Sequence, residues 1–268
     1  MRRNLLATLA LSAVLALGAV AIASAASTKI RAGNLVLRFG GNVIPKKLPA
    51  KRLAPIGLRA FGKIKTTDGT HPSAFREAVL DIDKNGRIDT RGAPVCRGGR
   101  LEARNTRAAR RVCRKAIVGG GSANVEISFP EQRPIKVSSP LTIFNGPTRG
   151  RKTTMYIHSF ITVPVPAAIV TTLTIRKIRK GRFGYRVVAK VPVVAGGSGS
   201  ALDFNFTIRK QFFRFRGKRH PYLSARCRDG KFVTRVVRSI FRNETNEPLV
   251  QPTTLLRGNL VVPCRRGR

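Results

Sequence analysis

The side chains best suited to bind a metal ion lie between residues 81 and 92. Oxygen ligands stand at positions 1, 3, 5 and 9 of a calcium-type loop, supplied by Asp81, Asp83, Asn85 and Asp89. Position 12 needs a bidentate acid, but the sequence has Gly92 there, and two arginines add positive charge to the loop. The same stretch also predicts a β-hairpin with Asn-Gly as its turn and the aspartates facing solvent. We therefore expect a hairpin with no resident metal or other cofactor, and calcium binding is the weaker alternative.

Residues for nucleophilic or acid–base catalysis form no recognisable motif. The chain has no Gly-x-Ser-x-Gly, and its three histidines are far apart: His71, His158 and His220. The 12 acidic residues are too scattered to indicate a carboxylate pair. We expect a non-enzymatic protein, with a hydrolase whose site is assembled only in space as the alternative.

Positive charge is the dominant chemical property of the chain. Lysine and arginine number 52 against 12 acidic residues, which gives a net charge of +40 at pH 7. Such an excess predicts salt-dependent attraction to polyanions. The charge could instead serve only to keep the protein soluble, or the arginine content could be raised by GC-rich codons.

Two segments of the chain carry clusters of basic residues whose neighbours indicate a structure. Asn105 is expected to cap a short helix through Val112, with a small apolar face and arginines on its other faces. Around residues 212–220, aromatic residues alternate with cations as in single-strand nucleic-acid platforms, although Phe213 and Phe215 are better explained as core residues. We expect no specific nucleic-acid partner. The candidate polyanion-binding residues are Arg104, Arg107, Arg110, Arg111, Arg114, Arg214 and Arg216.

The elements that must position these residues are predicted to be strands. Leu202, Phe204, Phe206 and Ile208 alternate with polar residues, a period of two that turns one row towards a core. Comparable runs, separated by Gly and Pro, predict strands at 135–144, 153–160, 168–178, 183–191, 201–216, 231–242 and 253–262. This pattern predicts an all-β fold, an antiparallel β-sandwich of Ig-like or jelly-roll-like type, with one short helix.

The N-terminus has the features of a secretory signal. Arg2 and Arg3 precede an apolar run over residues 5–22, and Ala23-Ser24-Ala25 fits a signal-peptidase site. We expect a signal helix over residues 1–25 that is cleaved; its retention as a membrane anchor is the alternative. No later stretch approaches the ~20 apolar residues of a spanning helix. An N-terminal strand and a Pro- and Lys-rich linker are predicted over residues 26–55, and the sandwich domain over 56–268, with a subdomain boundary considered at 129–135.

Four cysteines in an exported chain predict two disulfide bonds. They are Cys96, Cys113, Cys227 and Cys264, and three connectivities can be drawn. Pairing Cys96 with Cys113 and Cys227 with Cys264 is favoured because each pair brackets one local unit. Without a C-x-x-C motif or a Cys/His cluster, zinc is disfavoured.

Several of these segments resemble a group of secreted, cysteine-containing β-rich proteins of high-GC Gram-positive bacteria, for which no activity is known. The similarity is carried by residues 92–96, 113–123, 144–146, 185–192, 227–231 and 263–264. It implies secretion, disulfide bonds and an all-β fold.

Together these features predict a secreted protein, associated with the cell wall, that contacts anionic envelope polymers through its basic surface. A calcium-dependent adhesion module and a secreted hydrolase are the alternatives. The oligomeric state is left open.

Overall fold

Strands dominate the computed structural model, which describes residues 25–242 and 254–267. The predicted signal segment therefore lies outside the described residues, apart from Ala25. The strands are β1 (Ala26–Ala32), β2 (Leu35–Ile44), β3 (Lys47–Pro49), β4 (Ala54–Pro55), β5 (Gly57–Thr66), β6 (Ala74–Asp83), β7 (Gly86–Ile88), β8 (Ile117–Ile127), β9 (Ile135–Arg149), β10 (Lys152–Ile161), β11 (Ala167–Lys180), β12 (Phe183–Lys190), β13 (Gly199–Ile208), β14 (Phe212–Phe215), β15 (Lys218–Pro221), β16 (Leu223–Ala225), β17 (Lys231–Arg242), β18 (Thr254–Pro263) and β19 (Arg265–Gly267). One α-helix, α1 (Thr106–Val112), lies between β7 and β8.

Twelve strands form a single antiparallel sheet in the order β1-β2-β5-β13-β8-β9-β10-β11-β12-β6-β17-β18. The sheet folds over on itself, because Ile30 of β1 packs against Gly258 of β18 at the other end of the order. Leu37 of β2 and Phe241 of β17 lie in one buried cluster for the same reason. Twist over so many strands favours this closure, which also protects the two edge strands. The predicted all-β, sandwich-like class with one short helix is confirmed.

Alternation of apolar and polar residues explains how the sheet buries its inner face. In β13, Phe206 and Ile208 point inwards and pack in a cluster that includes Val118, Ile143 and Tyr222. The predicted strand over 201–216 is nevertheless interrupted. β13 ends at Ile208, and the chain turns through residues 209–211 into a separate hairpin of β14 and β15.

The predicted N-terminal strand and linker over residues 26–55 contain four strands. β1 and β2 belong to the large sheet, and in the Pro- and Lys-rich part β3 pairs in parallel with β19 while β4 pairs with β16. Residues 128–134, near the considered subdomain boundary, join β8 to β9, which pair with each other along their length.

The predicted Asn-Gly hairpin does not form. β6 pairs with β12 and β17, whereas β7 leaves the large sheet and pairs with β16. A two-residue hairpin of this type needs positive φ at both turn residues, and neither Asn85 nor Gly86 adopts it. Instead the Asn85 N–H donates to the Asp83 carboxylate (2.9 Å), and the chain turns a corner.

The segment between β7 and β8 covers the outer face of β9 and β10. Asn105 caps α1 as predicted, accepting a hydrogen bond from the Ala108 N–H (2.9 Å). Ala109 and Cys113 of this segment bury their small side chains against Phe144. The disulfide between Cys96 and Cys113 ties the segment together, and a second one joins Cys227 to Cys264, so the favoured pairing is confirmed.

Candidate polyanion-binding surface

Asp81 is at the centre of a cross-strand cluster of charges. It lies on β6 directly between Arg186 of β12 and Arg235 of β17, so the three side chains share the outer face of the sheet. Arg186 donates to the Asp81 carboxylate through Nε and Nη2 (2.7 and 3.1 Å), and Arg235 donates through Nη2 (2.5 Å). Asp81 was expected to face solvent, but its two arginine partners cover it completely.

The charge state of Asp81 follows from these partners. Burial by itself would raise the pKa of this carboxyl group, but the hydrogen bonds and positive charges of Arg186 and Arg235 outweigh it and hold the pKa below its ordinary value. Reciprocally, the hydrogen bond to Asp81 raises the pKa of Arg186. Asp81 is therefore ionised at neutral pH.

The remaining residues of the predicted calcium loop are likewise bound to cations. Asp83 is buried and accepts from Arg182 (2.8 Å), Asn85 accepts from Arg226 (3.2 Å), and Asp89 pairs with Arg91. All four predicted ligands thus lie against arginine side chains that oppose a bound cation. Over residues 25–242 and 254–267, no three His, Cys, Asp or Glu side chains are arranged to hold a metal ion.

Exposed cations continue outward from Asp81 across the sheet. Strand pairing places four of them side by side on adjacent strands β9, β10, β11 and β12, in the order Arg149, Lys152, Arg176 and Arg186. We call these four residues the outer row. Because adjacent strands are ~4.8 Å apart, the Cα atoms of the row follow one another about every 5 Å over roughly 15 Å. Its first three members are exposed.

Next to the outer row, the sheet has an open groove with a volume of ≈ 550 Å³. Four cations line it, Lys180, Arg186, Arg235 and Arg257, together with Asn259. Among the described residues that line the groove, none is acidic, because Asp81 lies beneath the two arginines. A second depression, of ≈ 640 Å³ beside β3 and β19, is lined by only two cations, Lys47 and Arg266.

The sequence-predicted arginines fall into two groups. All five from the helical segment are exposed: Arg104, Arg107, Arg110, Arg111 and Arg114. Helix α1 lies over β9 and β10, and Arg110 donates to the Thr142 hydroxyl (2.8 Å). His158 of β10 contacts the Arg104 carbonyl, just before the helix. His158 has the same strand parity as Lys152, so the helix and the outer row occupy the same face of the sheet.

Arg214 and Arg216 belong instead to the separate β14–β15 hairpin and its turn. Phe213 packs edge-on against Tyr222, as a core residue should (ring centroids 5.7 Å apart). The expectation for Phe215 was wrong, since 38% of this residue is exposed and its ring contacts the Arg216 guanidinium. In the four-residue strand β14, Phe213 is the one aromatic side chain that faces the core.

The three histidines lie in different environments. His71 pairs with Glu126 (Nδ1 to Oε1, 2.9 Å), and His220 lies 3.6 Å from Asp89. His158 is fully buried, and its Nε2 donates to the Arg104 carbonyl (2.8 Å).

Sequence reasoning missed the groove and all four residues of the outer row. Alternation places Arg186 and Arg235 on the polar side of their strands, and this signal was available. Their convergence depends on β6 pairing with both β12 and β17, strands that are distant in sequence, and local patterns do not specify such pairings.

Comparisons with known proteins found no relative of this chain. No protein-family model, curated protein or solved structure matches the chain significantly. In the part of the chain that the structure describes, no helix combines the length and apolar character needed to cross a membrane.

Proposed function

We propose that this chain is a secreted, non-enzymatic protein that binds linear anionic polymers of the cell envelope through the outer face of its sheet. The observation that carries the proposal is the outer row, with one cation on each of four adjacent strands. A regular series of charges fits a polymer with regularly repeated anionic groups better than it fits a single compact ligand.

The distribution of acidic groups supports the same conclusion. Six carboxylates face lysine or arginine side chains within the protein: Glu77, Asp81, Asp83, Asp89, Glu126 and Asp229. These carboxylates are neutralised locally, so the excess of cations is directed towards solvent. Cations that served only to keep the protein soluble could be scattered over the surface, whereas those of the outer row are aligned by the register of four paired strands.

The test is binding of the oxidised protein to an immobilised glycerol-phosphate polymer, with neutral dextran as the uncharged control. From about 50 mM to about 500 mM salt, the logarithm of the association constant is expected to fall linearly with the logarithm of salt concentration. Equal binding to dextran, or binding to the polymer that salt does not weaken, would contradict the proposal.

A matched pair of variants tests the role of the outer row. Lys152→Gln/Arg176→Gln removes two row cations and should weaken polymer binding roughly tenfold at low salt. Arg59→Gln/Lys63→Gln removes the same charge from exposed positions on β5 and should have a much smaller effect. Equal losses in the two variants would mean that total charge, and not the row, determines affinity.

A further inference from the structure

The groove beside the outer row contains two arginines that share one carboxylate. Arg186 and Arg235 flank Asp81 on neighbouring strands, so their Cα atoms are separated by two strand spacings, roughly 10 Å. The carboxylate between them offsets their repulsion and fixes both guanidinium groups. Two charges are thus held side by side above one buried counter-charge.

Both guanidinium groups retain donors that the protein does not use. A guanidinium has five N–H groups, and Arg186 gives two of them to Asp81. The Nε atom of Arg235 is buried, and it has no hydrogen-bond acceptor among the described residues. This atom is closed to the groove, so the donors left for a ligand are those on the terminal Nη atoms, since Arg235 uses only Nη2 towards Asp81 and Arg186 uses Nε and Nη2.

Neighbouring residues hold Arg235 in place. Its guanidinium carbon lies 4.5 Å from the centroid of the Phe183 ring, which restrains the plane of the group. The register of β17 shifts immediately after it, between Val236 and Arg238, as in β-bulges that redirect side chains near binding sites.

The nearby Arg182 has more carboxylate partners than Arg186 and Arg235 have. Arg182 pairs with two carboxylates, those of Asp83 and Asp229 (2.8 and 2.5 Å). Arg186 and Arg235 together have only one, and Lys180 and Arg257 add two exposed cations at the rim of the groove. The uncompensated charge of this region is therefore concentrated in the groove.

We propose that this groove is a binding site for a phosphate group, held between Arg186 and Arg235 and contacted at the rim by Lys180, Arg257 and Asn259. The donors come from four strands, β11, β12, β17 and β18, and so many separate donors suit an anion with three or four acceptor oxygens better than a planar carboxylate with two. The site rests on the proposed function and specifies the chemical class of its ligand, which is a phosphate polymer. One phosphate occupies the groove, and the neighbouring phosphates of the polymer lie along the outer row.

Calorimetry with the oxidised protein tests this site, using inorganic phosphate, tripolyphosphate, a glycerol-phosphate oligomer and citrate as probes. We expect the oligomer to bind more tightly than inorganic phosphate, because its further phosphates reach the outer row, and citrate to bind more weakly than tripolyphosphate. If inorganic phosphate binds as tightly as the oligomer, the ligand is free phosphate and the polymer assignment is wrong. Citrate binding equal to that of tripolyphosphate would overturn the phosphate assignment.

Two variants of the groove and one matched control locate the site. Lys180→Gln/Arg257→Gln changes only exposed rim residues and should weaken tripolyphosphate binding at least about tenfold. Arg235→Lys keeps the charge beside Asp81 but loses the planar fork, and it should weaken binding similarly. Arg59→Gln/Lys63→Gln on β5 should change it less than about twofold.

The possible failures are distinguishable. If the control and the rim variant lose equal affinity, the groove is not a site, but binding of the polymer by general charge is retained. If the unmodified protein binds neither tripolyphosphate nor the immobilised polymer, both proposals are wrong. Thermal unfolding of each variant confirms that lost binding is not lost folding.

Discussion

Asp81 shows how a single buried acid can organise a basic surface. Replacing it with asparagine leaves Arg186 and Arg235 next to each other without a full counter-charge, and only the groove side of the two guanidinium groups is reached by water that could screen their repulsion. We expect Asp81→Asn to lower the free energy of unfolding by about 3 kcal/mol. Urea denaturation measures this change. Glu102→Gln, at an exposed position, is the control and should stay within about 0.5 kcal/mol of the unmodified protein; an equally small effect of Asp81→Asn would contradict the role given to it.

His158 gives the protein a pH dependence of its own. Burial lowers the pKa of this imidazole; the nearby Arg110 charge lowers it further, and the hydrogen bond to the Arg104 carbonyl offsets this only in part. The unfolded chain therefore binds more protons than the folded protein just below the ordinary value of 6.5. The contribution of His158 to stability is complete above about pH 6.5 and is lost as the pH falls from there towards the folded pKa.

Urea unfolding midpoints between about pH 7.5 and about pH 5 test this expectation. The unmodified protein should lose stability on acidification, and His158→Gln, which keeps a donor for the Arg104 carbonyl, should lose less. The same pH slope in both proteins would show that other groups cause the dependence.

At the level of elements, the two disulfides close loops of different length. Cys96–Cys113 spans 17 residues and Cys227–Cys264 spans 37. Loop-closure entropy predicts that Cys96→Ala/Cys113→Ala costs about 3 kcal/mol and Cys227→Ala/Cys264→Ala about 4 kcal/mol. Urea denaturation of both double variants under non-reducing conditions measures the difference. A larger loss from the shorter loop would contradict this ranking.

Local sequence patterns predicted some elements well and others poorly. Helix α1, its Asn105 cap and the strand over 231–242 were predicted with the correct limits, because capping and alternation are local properties. The Asn85-Gly86 hairpin was wrong because the pairing of β6 with β12 and β17 outweighs the preference of a turn dipeptide. The outer row was not predictable for the same reason, since it exists only when four strands are in register.

Across the whole molecule, composition predicted the character of the surface but not its pattern. The net charge of +40 indicated a polyanion partner, and the exposed arginines of α1 were named from the sequence. Composition did not indicate the groove, whose cations come from separate segments of the chain. Fold class, disulfides and helix followed from the sequence, whereas the candidate site required the order of strands in the sheet.

The contact between β1 and β18 has a consequence for how the protein folds. Ile30 and Gly258, which meet where the sheet closes, are separated by most of the chain. Such distant contacts slow folding to the range of milliseconds to seconds, and the closure cannot form before β18 has been synthesised. Until then both edges of the sheet can pair with other chains. Mutual repulsion between copies that each carry about forty excess positive charges opposes that pairing, so the surface proposed to bind polymer also protects the unfinished sheet.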